Sequence, residues 1–151
     1  MTIMTFTIFV VLALAAVAVK RVPVGQVHSL YRYGKPVRLL QPGTHVVLPL
    51  LDRVGHRIDL GGRLLRFDAS FAEAIPVQGT IYWQVLEPER VDAVIETADQ
   101  LIRSGVEQAL QTETEAGQQR REVATRLKSN LNQQLRARGV MVTRVELDAA
   151  A

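Results

Sequence analysis

The sequence predicts an α+β fold: an N-terminal transmembrane helix, then one domain of curved antiparallel sheet packed with helices and ending in a short strand. Three observations predict it: an uncharged apolar run from Met1 to Val19, a series of β-type segments, and two helical periodicities followed by one more strand. We expect an anchor at 1–21, the domain at 22–148, and a short tail at 149–151 with no coiled coil.

The apolar run has the length and composition of a transmembrane helix. About 18 or 19 residues at roughly 1.5 Å each reach about 28 Å, close to the thickness of a bilayer's hydrocarbon core. Lys20 and Arg21 stop the run, and Pro23 ends the helix. The expected anchoring side chains are Phe6, Ile8, Phe9, Val10, Leu12 and Leu14. The alternatives are a signal peptide cleaved near Ala15 and a buried helix of a soluble protein.

Runs of Val, Ile, Leu and Tyr between Gly and Pro turns predict a β-rich region after the anchor. The clearest strand is Ile75 to Leu86, in which apolar and polar residues alternate with a period of two, so that one face lies on a core. The other expected strands are 24–33, 37–40, 46–48, 53–60 and 64–70.

The hydrophobic period changes at Pro88, which suits the first turn of a helix. The helix that begins there is expected to bend or break near Thr97 or Gly105. A second amphipathic helix carries an apolar stripe of Val123, Leu127, Leu131 and Leu135. Gly139 is placed to cap that helix, and residues 140–147 alternate as a last strand.

Positive charge is concentrated in the part of the chain that follows the predicted anchor. The net charge is +3, but residues 20–67 carry nine bases against two acids, while residues 68–151 carry a net charge of −4. Basic side chains gain on the order of 1 kcal/mol each beside an anionic leaflet. The expected headgroup contacts are Lys20, Arg21, Arg32, Lys35 and Arg38. A merely solvated basic surface is the alternative, and nucleic acid is not expected as a partner because stacking aromatics are not interleaved with the bases.

The C-terminal half divides into an acidic and a basic helical region. Residues 87–115 contain eight acids and two bases, whereas residues 120–144 contain seven bases and one acid. The acidic face of one copy could meet the basic face of the next and give a lateral homo-oligomer. The expected contact residues are Glu89, Asp92, Glu96, Arg120, Arg121 and Arg126. Pairing within one chain or simple solvation is the alternative.

The sequence contains no arrangement typical of catalysis. Cysteine is absent, and His28, His45 and His56 have no metal-ligand spacing. The serines have no nucleophile-elbow glycines, and the glycines form no phosphate-binding loop. We therefore expect no catalytic residue, cofactor or metal, and a hydrolase is disfavoured.

Several segments, taken in order, resemble the SPFH or band 7 family of stomatin, prohibitin and flotillin. They cover nearly all of the chain after the apolar run: Val22 to Val27, Tyr31 to Lys35, Leu40 to Thr44, Asp52 to Val54, Thr80 to Arg90, and Leu131 to Val140. The stretch between Gln111 and Arg126 departs from the family pattern.

The resemblance implies a non-enzymatic scaffold at the cell membrane, with the lipid bilayer and further copies of itself as partners. An adaptor for a membrane-bound AAA protease or an NfeD-type protein is the alternative function. The family's membrane-proximal apolar loop would correspond to Val47, Leu48, Leu50 and Leu51, for which a buried hairpin is the alternative. The basic stretch weakly favours a cytoplasmic domain.

Overall fold

Residues 1–71, 75–112 and 120–148 are described by the computed structural model, and their contacts divide the chain into two units. Unit 1 is Met1–Asp59 and unit 2 is Leu60–Ala151. The predicted domain boundaries, at residues 22 and 148, stay predictions. The predicted tail, 149–151, lies outside the described residues.

The N-terminal helix, α1 (Thr2–Ala18), shows that the prediction of a transmembrane helix was wrong. It has 17 residues and reaches only about 26 Å, less than the roughly 30 Å of a hydrocarbon core. Extended backbone begins at Val19, which joins a strand rather than the helix. No helix in the described part of the chain is long and apolar enough to cross a membrane. The predicted anchoring side chains all lie exposed on α1: Phe6, Ile8, Phe9, Val10, Leu12 and Leu14.

Unit 1 contains two small antiparallel sheets. The first pairs β1 with β4, and the second has the order β3-β2-β5. The strands are β1 (Val19–Val22), β2 (Gln26–Arg32), β3 (Lys35–Leu40), β4 (Gly43–Val46) and β5 (Asp52–Asp59). Tyr33 and Gly34 connect β2 to β3, and both have positive φ, 52° and 75°. Two such residues in succession are typical of the two-residue hairpin turn that matches strand twist.

The core of unit 1 is small and receives residues from every one of these strands or their ends. Val22, Leu30, Leu40 and Val47 form the buried cluster, and Val54 packs against it. Val47 follows β4 directly, so the residue before the next loop is buried in the core.

Unit 2 is built on a three-stranded antiparallel sheet in the order β6-β7-β8. Its strands are β6 (Arg63–Phe71), β7 (Ile75–Val85) and β8 (Val140–Leu147). Along β7 the alternation predicted from the sequence is present: Ile81, Trp83 and Val85 are buried, whereas Tyr82 and Gln84 are partly exposed. The described strands therefore form three sheets rather than the single curved sheet that was predicted.

The described part of unit 2 contains three α-helices. They are α2 (Pro88–Val91), α3 (Ala98–Thr112) and α4 (Arg120–Leu135), with a short 3-10 helix at Ile95–Thr97 before α3. The predicted break near Thr97 is present, while Gly105 lies inside the continuous helix α3.

Helix packing completes unit 2. Helix α4 packs on β8, and α3 packs on β6 and α4. The predicted stripe of α4 is buried at all four positions: Val123, Leu127, Leu131 and Leu135. Gly139 has the predicted left-handed cap conformation, φ 77°, but it ends a 3-10 helix, Arg136–Arg138, that follows α4 rather than α4 itself. Its carbonyl accepts hydrogen bonds from the N–H groups of Leu86 and Glu87 at 2.8 and 3.1 Å.

Candidate functional site

A one-turn loop at residues 48–51 connects β4 to β5 in unit 1. The carbonyl of Leu48 accepts hydrogen bonds from Leu51 N at 3.1 Å and Asp52 N at 2.8 Å. The side chain of Asp52 closes the turn from the other side, because its Oδ2 accepts the N–H of Leu48 at 3.0 Å. The backbone polar groups at the base of the loop are thus paired within the loop itself.

Asp52 also binds Arg32 across the β2–β5 pair. Arg32 Nε donates to Asp52 Oδ1 at 2.7 Å, and the Asp52 side chain is only 3% exposed. The hydrogen bond from Arg32, followed by the one from the Leu48 N–H, holds the pKa of Asp52 below its ordinary 3.8. The same contact raises the pKa of Arg32. In the structure Arg32 positions the loop, and its predicted contact with headgroups stays a prediction.

The loop presents apolar side chains outward. Leu50 is 87% exposed, Leu48 50% and Leu51 41%, whereas Val47 is buried in the core. Of the four residues named for the predicted apolar loop, three therefore lie on the surface and Val47 lies in the core. Exposed leucines this close together mark a contact surface more often than isolated ones do.

An apolar groove lies between the loop and the C-terminal part of α1. It encloses about 510 Å³ and is lined by residues 47–51 together with Leu14, Ala15 and Ala18. Val47 N donates to the carbonyl of Ala18 at 2.8 Å, which fixes the end of α1 beside the loop. The exposed side chains of α1 and those of the loop thus belong to the same region of unit 1.

The other predicted headgroup residues lie on strands of unit 1. Lys20 and Arg21 are exposed on β1, and Lys35 and Arg38 are exposed on β3. Arg38 Nη2 donates to the carbonyl of Val46 at 3.5 Å, next to the residue that leads into the loop. Whether these side chains touch lipid stays a prediction.

A second groove, here called the aromatic groove, lies on the other side of Leu50 and Leu51. It encloses about 630 Å³, and its lining includes Tyr31, Tyr33, Arg53 and His56 as well as these two leucines. The Tyr31 and His56 rings meet edge to face, with centroids 6.2 Å apart. No sequence argument identified this groove.

Gly55 and a β-bulge give the aromatic groove its shape. A side chain at residue 55 would place its Cβ 2.6 Å from the Tyr31 ring, so only glycine lets that ring lie against β5. Ser29 Oγ accepts the N–H of His56 at 2.7 Å where the β2–β5 register shifts. A glycine inside a predicted strand was the available signal, since it often marks a bulge or a close approach.

The residues predicted for contact between copies are all in unit 2. Glu89, Glu96, Arg120, Arg121 and Arg126 are exposed, whereas Asp92 is buried. Asp92, Glu96 and Arg126 already make contacts within the chain.

The described ranges contain the three histidines and most of the acidic side chains of the chain. No group of three or more histidine and acidic side chains there could hold a metal ion. Burial, and then the positive charge of Arg57, lowers the pKa of His28. Its Nε2 lies 3.4 Å from Gln26 Oε1.

Comparison with protein families identifies the part of the chain that follows α1. The sequence profile described as SPFH domain / Band 7 family matches residues 20–150, which is most of the chain. The chain belongs to the SPFH, or band 7, family.

Proposed function

We propose that this chain is a non-enzymatic, membrane-associated scaffold that contacts the bilayer through the loop at residues 48–51 and the exposed side chains of α1. Band 7 proteins are in general membrane-associated and scaffold-like, and they are generally not enzymes. The observation that carries the proposal is the exposed leucine cluster of a loop that the Arg32–Asp52 pair holds in place and that a Val47–Ala18 hydrogen bond joins to the end of α1.

Apolar burial and charge would act together in this contact. Fully burying a leucine is worth roughly 1.5–3 kcal/mol, so the exposed parts of Leu48, Leu50 and Leu51 together supply a few kcal/mol. Lys20 and Arg21 lie on β1 just after α1 and would each add on the order of 1 kcal/mol beside an anionic surface. Two signals of this kind are what stable peripheral binding needs.

Self-association would make the chain a scaffold. Glu89 on α2 and Arg120 and Arg121 on α4 are exposed, and none of the three forms an ion pair within the described ranges. Asp92, Glu96 and Arg126 are engaged within the chain, so we place the centre of the contact on the first three. Acid and base on different elements of one unit favour a head-to-tail contact between copies.

Co-flotation of the full chain with lipid vesicles tests the bilayer contact. The wild type should float with vesicles containing anionic lipid, and Leu50→Gln should reduce the bound fraction severalfold. Leu64→Gln is the matched control, because Leu64 is 62% exposed on β6 of unit 2. Equal loss in both variants, or no flotation of the wild type, would rule the proposal out.

The adaptor role toward a membrane-bound protease or an NfeD-type partner stays a prediction from the family resemblance. The location of the domain on the cytoplasmic side of the membrane also stays a prediction.

A further inference from the structure

The aromatic groove and the apolar groove adjoin one another along the same two side chains. Leu50 and Leu51 line both, so the two volumes of about 630 and 510 Å³ lie on either side of the loop at residues 48–51. Each volume is in the range of pockets that bind small molecules. The pair offers a largely apolar, aromatic space that contains one arginine beside a purely apolar one.

The aromatic groove is electropositive. Arg53 lines it opposite Tyr31 in the strand register, and no acidic side chain pairs with Arg53 within the described ranges. None of the described residues that line the groove is acidic. The neighbouring Asp52 is already bound by Arg32 and by the Leu48 N–H, so its charge is largely compensated.

Tyr33 brings an exposed phenol to this groove. Tyr33 has φ 52°, in the left-handed region that glycine and asparagine adopt readily and a bulky aromatic residue does not. Its side chain gains little from burial, because it is 79% exposed. The hairpin turn accounts for this backbone conformation, and the exposed side chain is available to contact a ligand.

We infer that the aromatic groove binds the phosphate-bearing headgroup of one anionic phospholipid, whose acyl chains lie along Leu50 and Leu51 toward the apolar groove. The inference rests on the proposed bilayer contact, which brings lipid to this loop. A guanidinium binds phosphate oxygens in a bidentate manner, and a tyrosine hydroxyl can donate to them. Arg53 and Tyr33 supply these two groups.

A lipid fits both grooves better than the other ligands that share part of its chemistry. Free phosphate could bind Arg53 but would leave the adjoining apolar groove unused. An acidic peptide could use both grooves, but Leu50 and Leu51 form their common wall and are the same side chains that the proposed function turns toward the bilayer. Continuity with that surface favours lipid.

Native mass spectrometry tests the inference with the full chain. The protein is bound to nanodiscs of equal phosphatidylcholine and phosphatidylglycerol, released into mild nonionic detergent, and weighed with its retained lipid. The wild type should retain one phosphatidylglycerol in preference to phosphatidylcholine. Arg53→Gln should reduce this preference about tenfold, as expected for a lost hydrogen bond to a charged group, and Arg53→Lys should keep part of it.

Two further variants make the result specific. Tyr33→Asn, which suits the turn conformation and should fold, is expected to retain less phosphatidylglycerol than the wild type. Arg103→Gln removes an exposed arginine from α3 in unit 2 and should retain the wild-type preference.

The outcomes separate this inference from the proposed function. If the chain does not bind nanodiscs, the bilayer contact is wrong and the lipid site fails with it. If the chain binds but Arg53→Gln keeps the wild-type lipid ratio, only the lipid site is wrong. An Arg53-dependent adduct of inorganic phosphate as stable as the lipid adduct, or a peptide adduct lost in Arg53→Gln, would also overturn it.

Discussion

Arg32 Nε donates a 2.7 Å hydrogen bond to Asp52 Oδ1, and the two residues lie directly opposite one another at the end of the β2–β5 pair. The other carboxylate oxygen of Asp52 accepts the N–H of Leu48. One side chain therefore connects a strand of the core sheet to the first residue of the exposed apolar loop. Because the loop itself buries little, its conformation depends on this connection.

The variant Asp52→Asn should loosen the loop and lower the stability of unit 1. It removes the negative charge and leaves one acceptor oxygen, so one of the two hydrogen bonds of Asp52 is lost and the other is weakened. We expect a lower urea midpoint at pH 7 and faster hydrogen exchange at the Leu48 amide. Asp68→Asn, at an exposed position on β6, is the control and should leave both unchanged. A variant as stable as the wild type would show that the contact does not hold the loop.

The same contact predicts a pH dependence with a definite sign. The pKa of Asp52 is lower in the folded protein than its ordinary 3.8, so the unfolded chain binds a proton first as the pH falls. The stabilisation is present above about pH 3.8 and is lost as the pH falls through the lower folded value. The stability difference between wild type and Asp52→Asn should therefore shrink between pH 5 and pH 2. A difference that stays constant over this range would contradict the assignment.

Gly55→Ala should destabilise unit 1 by about 1–3 kcal/mol, the usual cost of overpacking. The added Cβ would lie 2.6 Å from the Tyr31 ring and 3.0 Å from Ser29 Oγ. Gly62→Ala meets no atom within 4 Å and should be neutral. Urea unfolding measures both, and combining Gly55→Ala with Tyr31→Ala should recover part of the loss. If Gly55→Ala is also neutral, the close approach of Tyr31 to β5 is wrong.

Tyr33→Asn should raise the free energy of unfolding by roughly 0.5–1 kcal/mol, because asparagine tolerates the left-handed conformation better than tyrosine does. Tyr33→Phe keeps the backbone strain and should not be stabilised. Thermal unfolding followed by circular dichroism distinguishes the two. A loss of stability in Tyr33→Asn would mean that the tyrosine ring contributes packing that its exposure does not indicate.

Reversing the charge of Arg120 and Arg121 to glutamate should disrupt self-association. In mild detergent, light scattering should give the wild type a mass several times the 16.8 kDa of one chain, and the double variant a smaller mass. The same reversal at Arg136 and Arg138, which are also exposed, is the control and should leave the wild-type mass unchanged. A monomeric wild type would contradict the proposed scaffold.

Much of the secondary structure could be predicted because its signals are local. The last strand occupies the predicted residues 140–147, and the predicted apolar stripe of α4 is buried. The helix at the N-terminus was predicted too long. Hydropathy does not distinguish a helical Val19 from an extended one, and the pairing of β1 with β4, some 25 residues away, decides the question.

The site was only partly predictable for the same physical reason. The apolar character of residues 47–51 is visible in the sequence, but the burial of Val47 and the exposure of Leu50 depend on packing. In the sequence, Arg32 does not differ from the other surface bases, and only the β2–β5 register places it opposite Asp52. The aromatic groove needs the bulge and Gly55 together, and neither alone indicates a cavity.

The most direct test of bilayer contact uses single cysteines, which is simple because the chain has none. A polarity-sensitive fluorophore is attached at Leu50→Cys on the loop and, as the control, at Arg66→Cys on β6 of unit 2. On adding anionic vesicles, the label at residue 50 should shift to the blue and gain intensity, and the label at residue 66 should not. No shift at residue 50, or an equal shift at both positions, would contradict contact through this loop.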